Sequence, residues 1–170
     1  MADDEYNSYI ALKRHLINAA LNWCTELGYT PHLVVQAGYP VYKRDGSSEP
    51  FSEFINIHPD EYGVITFDVS GSAVRNFEYT NDYLYFETKF GGRVKAVSIP
   101  IGAIANVHSK ETATGVPLPI LDQPALVWED AAAPAKESQG KNANSVTQSN
   151  ATDANAPTKK KIPSFLTVVK

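Results

Sequence analysis

The first part of the chain places its apolar residues with the period of an α-helix. Between Tyr6 and Leu27 these residues fall on two overlapping stripes, which is more than a single buried face requires. The first stripe is Tyr9, Leu12, Leu16 and Trp23, and the second is Tyr6, Ile10, Ile17, Leu21 and Cys24. We expect one stripe to cover a domain core and the other to meet a second surface. The alternative is a helix buried deep in its own domain.

The ends of this helix carry recognisable signals. Asp3 or Asp4 can cap its N-terminus, and Gly28 can supply the left-handed residue that follows many helices. The Thr30-Pro31 step then prevents continuation of the helix.

After the helix the period changes from 3.6 to 2, which is typical of β-strands. Turns at Asn81-Asp82 and Gly91-Gly92 fit tight hairpins, and residues 42–50 read as an exposed loop of unknown role. A helical turn is expected at 101–104. The predicted strands are 32–37, 54–57, 64–69, 76–79, 83–90, 93–99 and 105–110. The pattern predicts an α+β, mainly β fold, with the N-terminal helix packed on a small, strongly bent antiparallel sheet or Sm-like partly open barrel.

The distribution of apolar residues that predicts a folded domain ends near residue 129. From Asp130 to Thr158 there is no aromatic residue, and Val146 is the only large aliphatic one. Such a segment buries too little apolar surface to offset its ordering entropy. The chain then ends in an apolar, basic peptide, which indicates either docking or an end that folds back on the body. We divide the chain into a binding and dimerisation domain (1–128), a disordered linker (129–161) and a docking peptide (162–170).

Charge and cysteine content narrow the class of protein. The 19 acidic and 15 basic residues give a net charge of −4, which argues against a general nucleic-acid binder. The single cysteine, Cys24, excludes an intrachain disulfide and suits a reducing compartment. Neither a signal sequence nor an apolar run near eighteen residues is present in the sequence. We therefore expect a soluble, cytoplasmic protein.

The sequence contains no recognisable catalytic constellation. Its four histidines, His15, His32, His58 and His108, form neither an HxH nor an HExxH motif, so no metal site is predicted. Phe90-Gly-Gly-Arg93 joins two strands without a helix N-terminus behind it, which excludes the usual phosphate cradle. We expect a protein that is not an enzyme and needs no cofactor.

The remaining candidate is a binding surface. Thr88 and Phe90 lie on one face of a hairpin that ends in two glycines, where another backbone can approach closely. An open strand edge there can receive an extended peptide. The simpler interpretation is an ordinary turn. A rival from another class is a small RNA-binding barrel of the Sm or OB type, given exposed aromatic candidates such as Tyr83 and Tyr85.

A combination of motifs resembles the stringent starvation protein B (SspB) family, bacterial adaptors of the ClpXP protease. The resemblance covers residues 6–118 and returns at the terminus. It rests on Thr30-Pro-His-Leu-Val-Val35, Asn81-Asp82, Phe90-Gly-Gly92, Val97-Ser-Ile-Pro100 and Leu166-Thr-Val-Val-Lys170.

The resemblance implies a cytoplasmic homodimer, paired through the N-terminal helix, that performs no chemistry. Its groove would hold the ssrA degradation tag, and its C-terminal peptide would dock on the N-terminal domain of ClpX. Thr167 stands where the family commonly has Arg, with an effect that the sequence does not give. The implied tag-binding residues are Thr88, Phe90, Gly91 and Gly92, with Val107, Ser109, Lys110 and Val116 at the second wall, and the implied docking residues are Leu166, Val168, Val169 and Lys170. For the dimer interface we name Ile10, Ile17 and Leu21 from the helix stripes; which of the two stripes pairs is left open by the sequence.

Overall fold

A computed structural model describes residues 3–124 and 126–128. The chain forms helix α1, a series of short strands with a one-turn helix α2 among them, and a 3-10 turn at Ile101–Ala103. The predictions for residues 129–170 lie outside the described residues. The elements are α1 (Asp3–Glu26), β1 (Pro31–Gln36), β2 (Pro40–Tyr42), β3 (Ser48–Pro50), α2 (Phe51–Ile55), β4 (Val64–Asp68), β5 (Val74–Tyr79), β6 (Tyr83–Phe90), β7 (Arg93–Pro100), β8 (Ile104–Ser109) and β9 (Gly115–Pro117).

Helix α1 ends as its sequence predicts. Gly28 has a φ of 69°, in the left-handed region that glycine adopts without a steric penalty. The amide of Tyr29 donates to the carbonyl of Cys24 at 2.8 Å, and the amide of Gly28 donates to the carbonyl of Thr25 at 3.2 Å. These are the two bonds of a Schellman motif. At the other end the helix already includes Asp3 and Asp4, so they lie in its first turn rather than capping it.

The strands form three antiparallel sheets. Strand order is β4-β1-β8-β9 in the first sheet, β2-β3 in the second and β5-β6-β7 in the third. The predicted fold class is confirmed: an N-terminal helix accompanies antiparallel strands in open sheets, and within the described residues these sheets do not close into a barrel.

Aromatic side chains connect the first and third sheets. Phe67 of β4 contacts Phe86 of β6 edge-to-face, with 5.6 Å between ring centroids, and Phe86 stacks on Phe77 of β5. Phe67 and Phe86 are almost fully buried. Edge-to-face and offset-stacked geometries are the favourable ones for aromatic pairs, so this cluster fixes β4 beside the β5-β6-β7 sheet.

Two local predictions were wrong. The segment predicted as a strand at 54–57 contains no strand: Phe54 and Ile55 complete α2, and Asn56 is the residue that caps it. Phe51 and Ile55, one helical turn apart, are both buried. Alternation over only four residues cannot distinguish a strand from a single helical turn. The segment 42–50, predicted as a loop, contains the last residue of β2, the hairpin turn and β3, and Lys43 and Glu49 form an ion pair at 3.0 Å within it.

Hydrogen bonds from buried polar side chains connect the chain after β9 to the rest of the domain. The Nζ of Lys13, on α1, donates to the carbonyls of Gly102 at 2.8 Å and Pro119 at 2.6 Å. Gln123 accepts from the amide of Gly102 and donates to the carbonyl of Asp82. Trp128 then packs edge-to-face on Phe54, with 4.7 Å between centroids. The end of the described chain is therefore part of the core.

In the described part of the chain, no helix is both long and apolar enough to span a bilayer.

Candidate functional site

A cleft of about 670 Å³ opens between β4 and the end of the β6-β7 hairpin. Phe67 and Phe90 meet edge-to-face across it, with 6.0 Å between ring centroids. Val94, on the hairpin wall, is 65% exposed although it is apolar. The lining residues are Thr66, Phe67 and Asp68 of β4; Ser72, Ala73 and Arg75 around the start of β5; Glu87, Thr88, Lys89 and Phe90 of β6; and Val94 of β7.

One wall of the cleft is an unpaired strand edge. Val69 donates its amide to Pro31, and Ala37 donates to Gly63, so the odd-numbered residues of β4 turn their backbone groups toward β1. Thr66 and Asp68 therefore turn theirs away from β1. Within the described residues no other strand pairs with this edge of β4. The edge can accept an added strand.

The predicted hairpin residues form the opposite wall. Phe90 and Arg93 pair across a two-residue turn, where Gly91 has a φ of 56° and Gly92 a φ of 80°. Two consecutive positive φ values are those of a type I′ turn. Thr88 lines the cleft and donates from its hydroxyl to the carbonyl of Ala73 at 3.2 Å. Of the predicted tag-binding residues, Thr88 and Phe90 line the cleft, and both glycines lie exposed at its end.

The second wall differs from the one implied by the resemblance. The side chains of Val107 and Ser109 are fully buried, Val107 in the core and Ser109 within hydrogen-bond reach of Glu111. In this chain they do not line the cleft. Lys110 is exposed and Val116 half-buried, but neither lines the cleft. The wall is formed instead by Thr66, Phe67 and Asp68, whose edge position depends on sheet order and has no sequence signal.

The cleft contains charges of both signs. Arg75 and Glu87 are directly opposite each other on β5 and β6, and Asp68 and Lys89 complete the charged set. The carboxylate of Asp68 accepts hydrogen bonds from the amide of Ser70 at 3.0 Å and from its hydroxyl at 2.6 Å. A cleft with balanced charge and an apolar floor suits a peptide of mixed composition better than a polyanion.

The two apolar stripes of α1 differ in burial. Ile10, Ile17 and Leu21, assigned to a dimer interface, are at most 8% exposed in a single chain. They belong to the stripe of α1 that packs in the core of a single chain. The other stripe is the exposed one: Tyr9, Leu12 and Leu16 are 46%, 55% and 39% exposed.

The last predictions concern the docking residues and a metal site. Leu166, Val168, Val169 and Lys170 lie outside the described residues. Among the residues that are described, no group of three or more His, Cys, Asp or Glu side chains is arranged to hold a metal ion.

Two comparisons with known proteins cover most of the chain. The model of the family described as "SspB: Stringent starvation protein B" matches residues 11–170. A relative from Haemophilus influenzae, described as "Stringent starvation protein B homolog", is 29% identical over 147 residues, covering 78% of this chain and 89% of the relative. The chain therefore belongs to the stringent starvation protein B family.

Proposed function

We propose that this protein is an adaptor that binds the ssrA degradation tag in the cleft and delivers tagged substrates to ClpXP through its C-terminal peptide. The observation that carries the proposal is the cleft itself, an apolar floor between an unpaired strand edge and a glycine-tipped hairpin. Membership of the family supports it. In this proposal the adaptor performs no chemistry and works in the bacterial cytoplasm.

The mode of tag binding follows from the two walls. An extended peptide can pair with the outward backbone groups of Thr66 and Asp68, which gives affinity without requiring particular side chains. Alternate side chains of an extended peptide point to opposite faces. One set would therefore enter the cleft over Phe67, Phe90 and Val94, and this set would supply selectivity.

Delivery rests on the sequence of the C-terminal part. The residues between 129 and 161 have the composition of a flexible tether, and the chain ends in a short apolar and basic peptide. A tether of about thirty residues spans roughly 30 Å on average, so a docked adaptor would hold its substrate at about millimolar local concentration.

Pairing of two copies is part of the proposal and uses the exposed stripe of α1. Tyr9, Leu12 and Leu16 lie on one side of the helix, at spacings of three and four residues. Twofold dimers are the commonest soluble oligomers, and a helix face is readily self-complementary.

The experiment that tests the proposal measures binding of a fluorescent ssrA peptide by anisotropy. Thr88→Gln should extend a longer side chain into the cleft and lower affinity at least tenfold. Ala96→Gln is the matched control, because Ala96 is exposed on β7 and does not line the cleft. Wild-type protein that fails to bind the peptide would overturn the proposed function. Equal affinity of both variants would overturn only the placement of the tag.

A further inference from the structure

The outward face of the β4-β1-β8-β9 sheet brings together two histidines that are 76 positions apart in the sequence. His32 of β1 and His108 of β8 are directly opposite each other in the antiparallel register. Their ring centroids are 5.5 Å apart with an interplanar angle of 78°. Both side chains are half-buried, on the face opposite to that of the core residues Leu33 and Val107.

Asn106 extends this pair to a cluster. It precedes His108 by two residues on β8, so both side chains point to the same face of the sheet. Its partner on β1 is Val34, which cannot form a hydrogen bond through its side chain. The only polar side chains in these two opposed pairs are His32, His108 and Asn106.

Two atoms of this cluster are buried without a hydrogen-bond partner: Nδ1 of His108 and Oδ1 of Asn106. Buried polar atoms are nearly always paired, so each exception calls for an explanation. Edge-to-face packing of the two rings explains their orientation but pairs neither atom. An imidazole nitrogen and an amide oxygen both offer a lone pair, and a bound cation would satisfy both.

The ring geometry fits such a cation. Two imidazole nitrogens bound to one Zn²⁺ at about 2.0–2.1 Å, in a tetrahedral arrangement, place their ring centroids about 5 Å apart. The observed separation is 5.5 Å. Imidazole is a preferred ligand of Zn²⁺, Ni²⁺ and Cu²⁺, whereas Mg²⁺ and Ca²⁺ prefer oxygen ligands.

We propose that His32, His108 and Asn106 form a binding site for a divalent transition-metal ion of the Zn²⁺ class. Water completes the coordination, since no third His, Cys, Asp or Glu joins the cluster within the described residues. Asp68, the partner of His32 on β4, is not counted as a ligand because it does not join the two histidines in a group arranged to hold a metal ion within the described residues. The site is separate from the cleft residues and does not depend on the proposed adaptor function.

Titration of the full chain with ZnCl₂ by isothermal calorimetry tests the site. We expect one ion per chain, and an affinity at least tenfold lower for His32→Gln or His108→Gln. The matched controls are His15→Gln and His58→Gln, because both histidines are exposed and lie elsewhere in the fold. These controls should bind as the wild type does. Absence of binding up to millimolar ZnCl₂, or an equal loss in all four variants, would overturn the proposal.

A second measurement on the wild-type protein does not depend on whether a variant folds. In imidazole ¹H–¹⁵N spectra, ZnCl₂ should shift the ring resonances of His32 and His108 and leave those of His15 and His58 in place. Shifts confined to His15 and His58 would mean adventitious surface binding and would overturn the site. Unchanged spectra would mean that ordered water, and not a metal ion, binds the two unpaired atoms, and this result would overturn the site.

Discussion

Lys13 is the residue whose position is least expected from its type. Its side chain is 2% exposed on α1, and its Nζ donates to two backbone carbonyls rather than to a carboxylate. Burial lowers the pKa of Lys13 from 10.5 to about 7. Because two carbonyl dipoles only partly replace the lost hydration of an ammonium group, the uncharged amine is favoured in the folded state.

This residue should give the protein a characteristic pH dependence. Between pH 7 and 10.5 the unfolded chain binds more protons at Lys13 than the folded one, so the free energy of unfolding should rise with pH across this window. The slope from one such group is at most about 1.4 kcal/mol per pH unit. Lys13→Met should flatten the profile, measured by urea unfolding from pH 7 to about pH 9.

Lys110→Met provides the comparison, since Lys110 is exposed and its replacement should leave the wild-type profile unchanged. Parallel profiles for the wild type and Lys13→Met would contradict the assignment.

Among the elements, β4 is an edge strand whose outward backbone groups are unpaired by any strand within the described residues. Thr66→Pro removes one outward N–H without breaking the bonds to β1, because Thr66 does not donate to that strand. Loss of one such hydrogen bond typically costs about 0.5–1.5 kcal/mol, which corresponds to a loss of peptide affinity of roughly twofold to thirteenfold.

Anisotropy with the ssrA peptide measures this change. Thr66→Val is its control, because valine keeps the backbone N–H and a similar shape. If Thr66→Pro binds the peptide as tightly as Thr66→Val does, strand addition at β4 is not the mode of binding.

The two stripes of α1 should respond differently to a charge. Leu12→Glu, on the exposed stripe, should convert dimers to monomers by placing a carboxylate in the contact, while the fold persists. Ile17→Glu, at a position with 0% exposure, should instead unfold the domain.

Sedimentation velocity and circular dichroism together distinguish these outcomes. Asn7→Glu, an exposed change outside the stripe, should remain dimeric. Wild-type protein that sediments as a monomer at tens of micromolar would contradict pairing through this stripe.

In the molecule as a whole, capture and delivery are assigned to different parts of the chain. The described body ends at Trp128, which is 6% exposed and donates its amide to the carbonyl of Tyr42 at 2.9 Å. The proposed docking peptide begins at residue 162. Deleting residues 162–170 should therefore leave tag affinity unchanged and abolish the stimulation of degradation.

Degradation of a tagged reporter by ClpXP, at a substrate concentration far below the KM of the protease, measures this separation. Shortening the linker by ten residues is the control. It should matter little, because the span of a flexible chain falls only as the square root of its length. Acceleration that survives the deletion would contradict docking through the terminus.

Features with local signals could be predicted from the amino-acid sequence. The end of α1 at Gly28, the Gly91-Gly92 hairpin and the helical turn after Pro100 follow from backbone preferences of a few neighbouring residues. The period-2 pattern located most strands, and the two stripes of α1 allowed either a helix face outside the core or a helix buried in its own domain. The composition after residue 129 marked the end of the pattern that builds the domain.

Which surfaces these elements present depends on how they pack against one another. Both stripes of α1 have similar apolar character, and only packing on the sheet placed Ile10, Ile17 and Leu21 in the core. Strand order made β4 an edge and thereby placed Thr66 and Asp68, rather than Val107 and Ser109, beside the hairpin. The same order set His32 against His108. Each of these contacts joins residues distant in the chain, and short-range backbone preferences carry no information about such pairings.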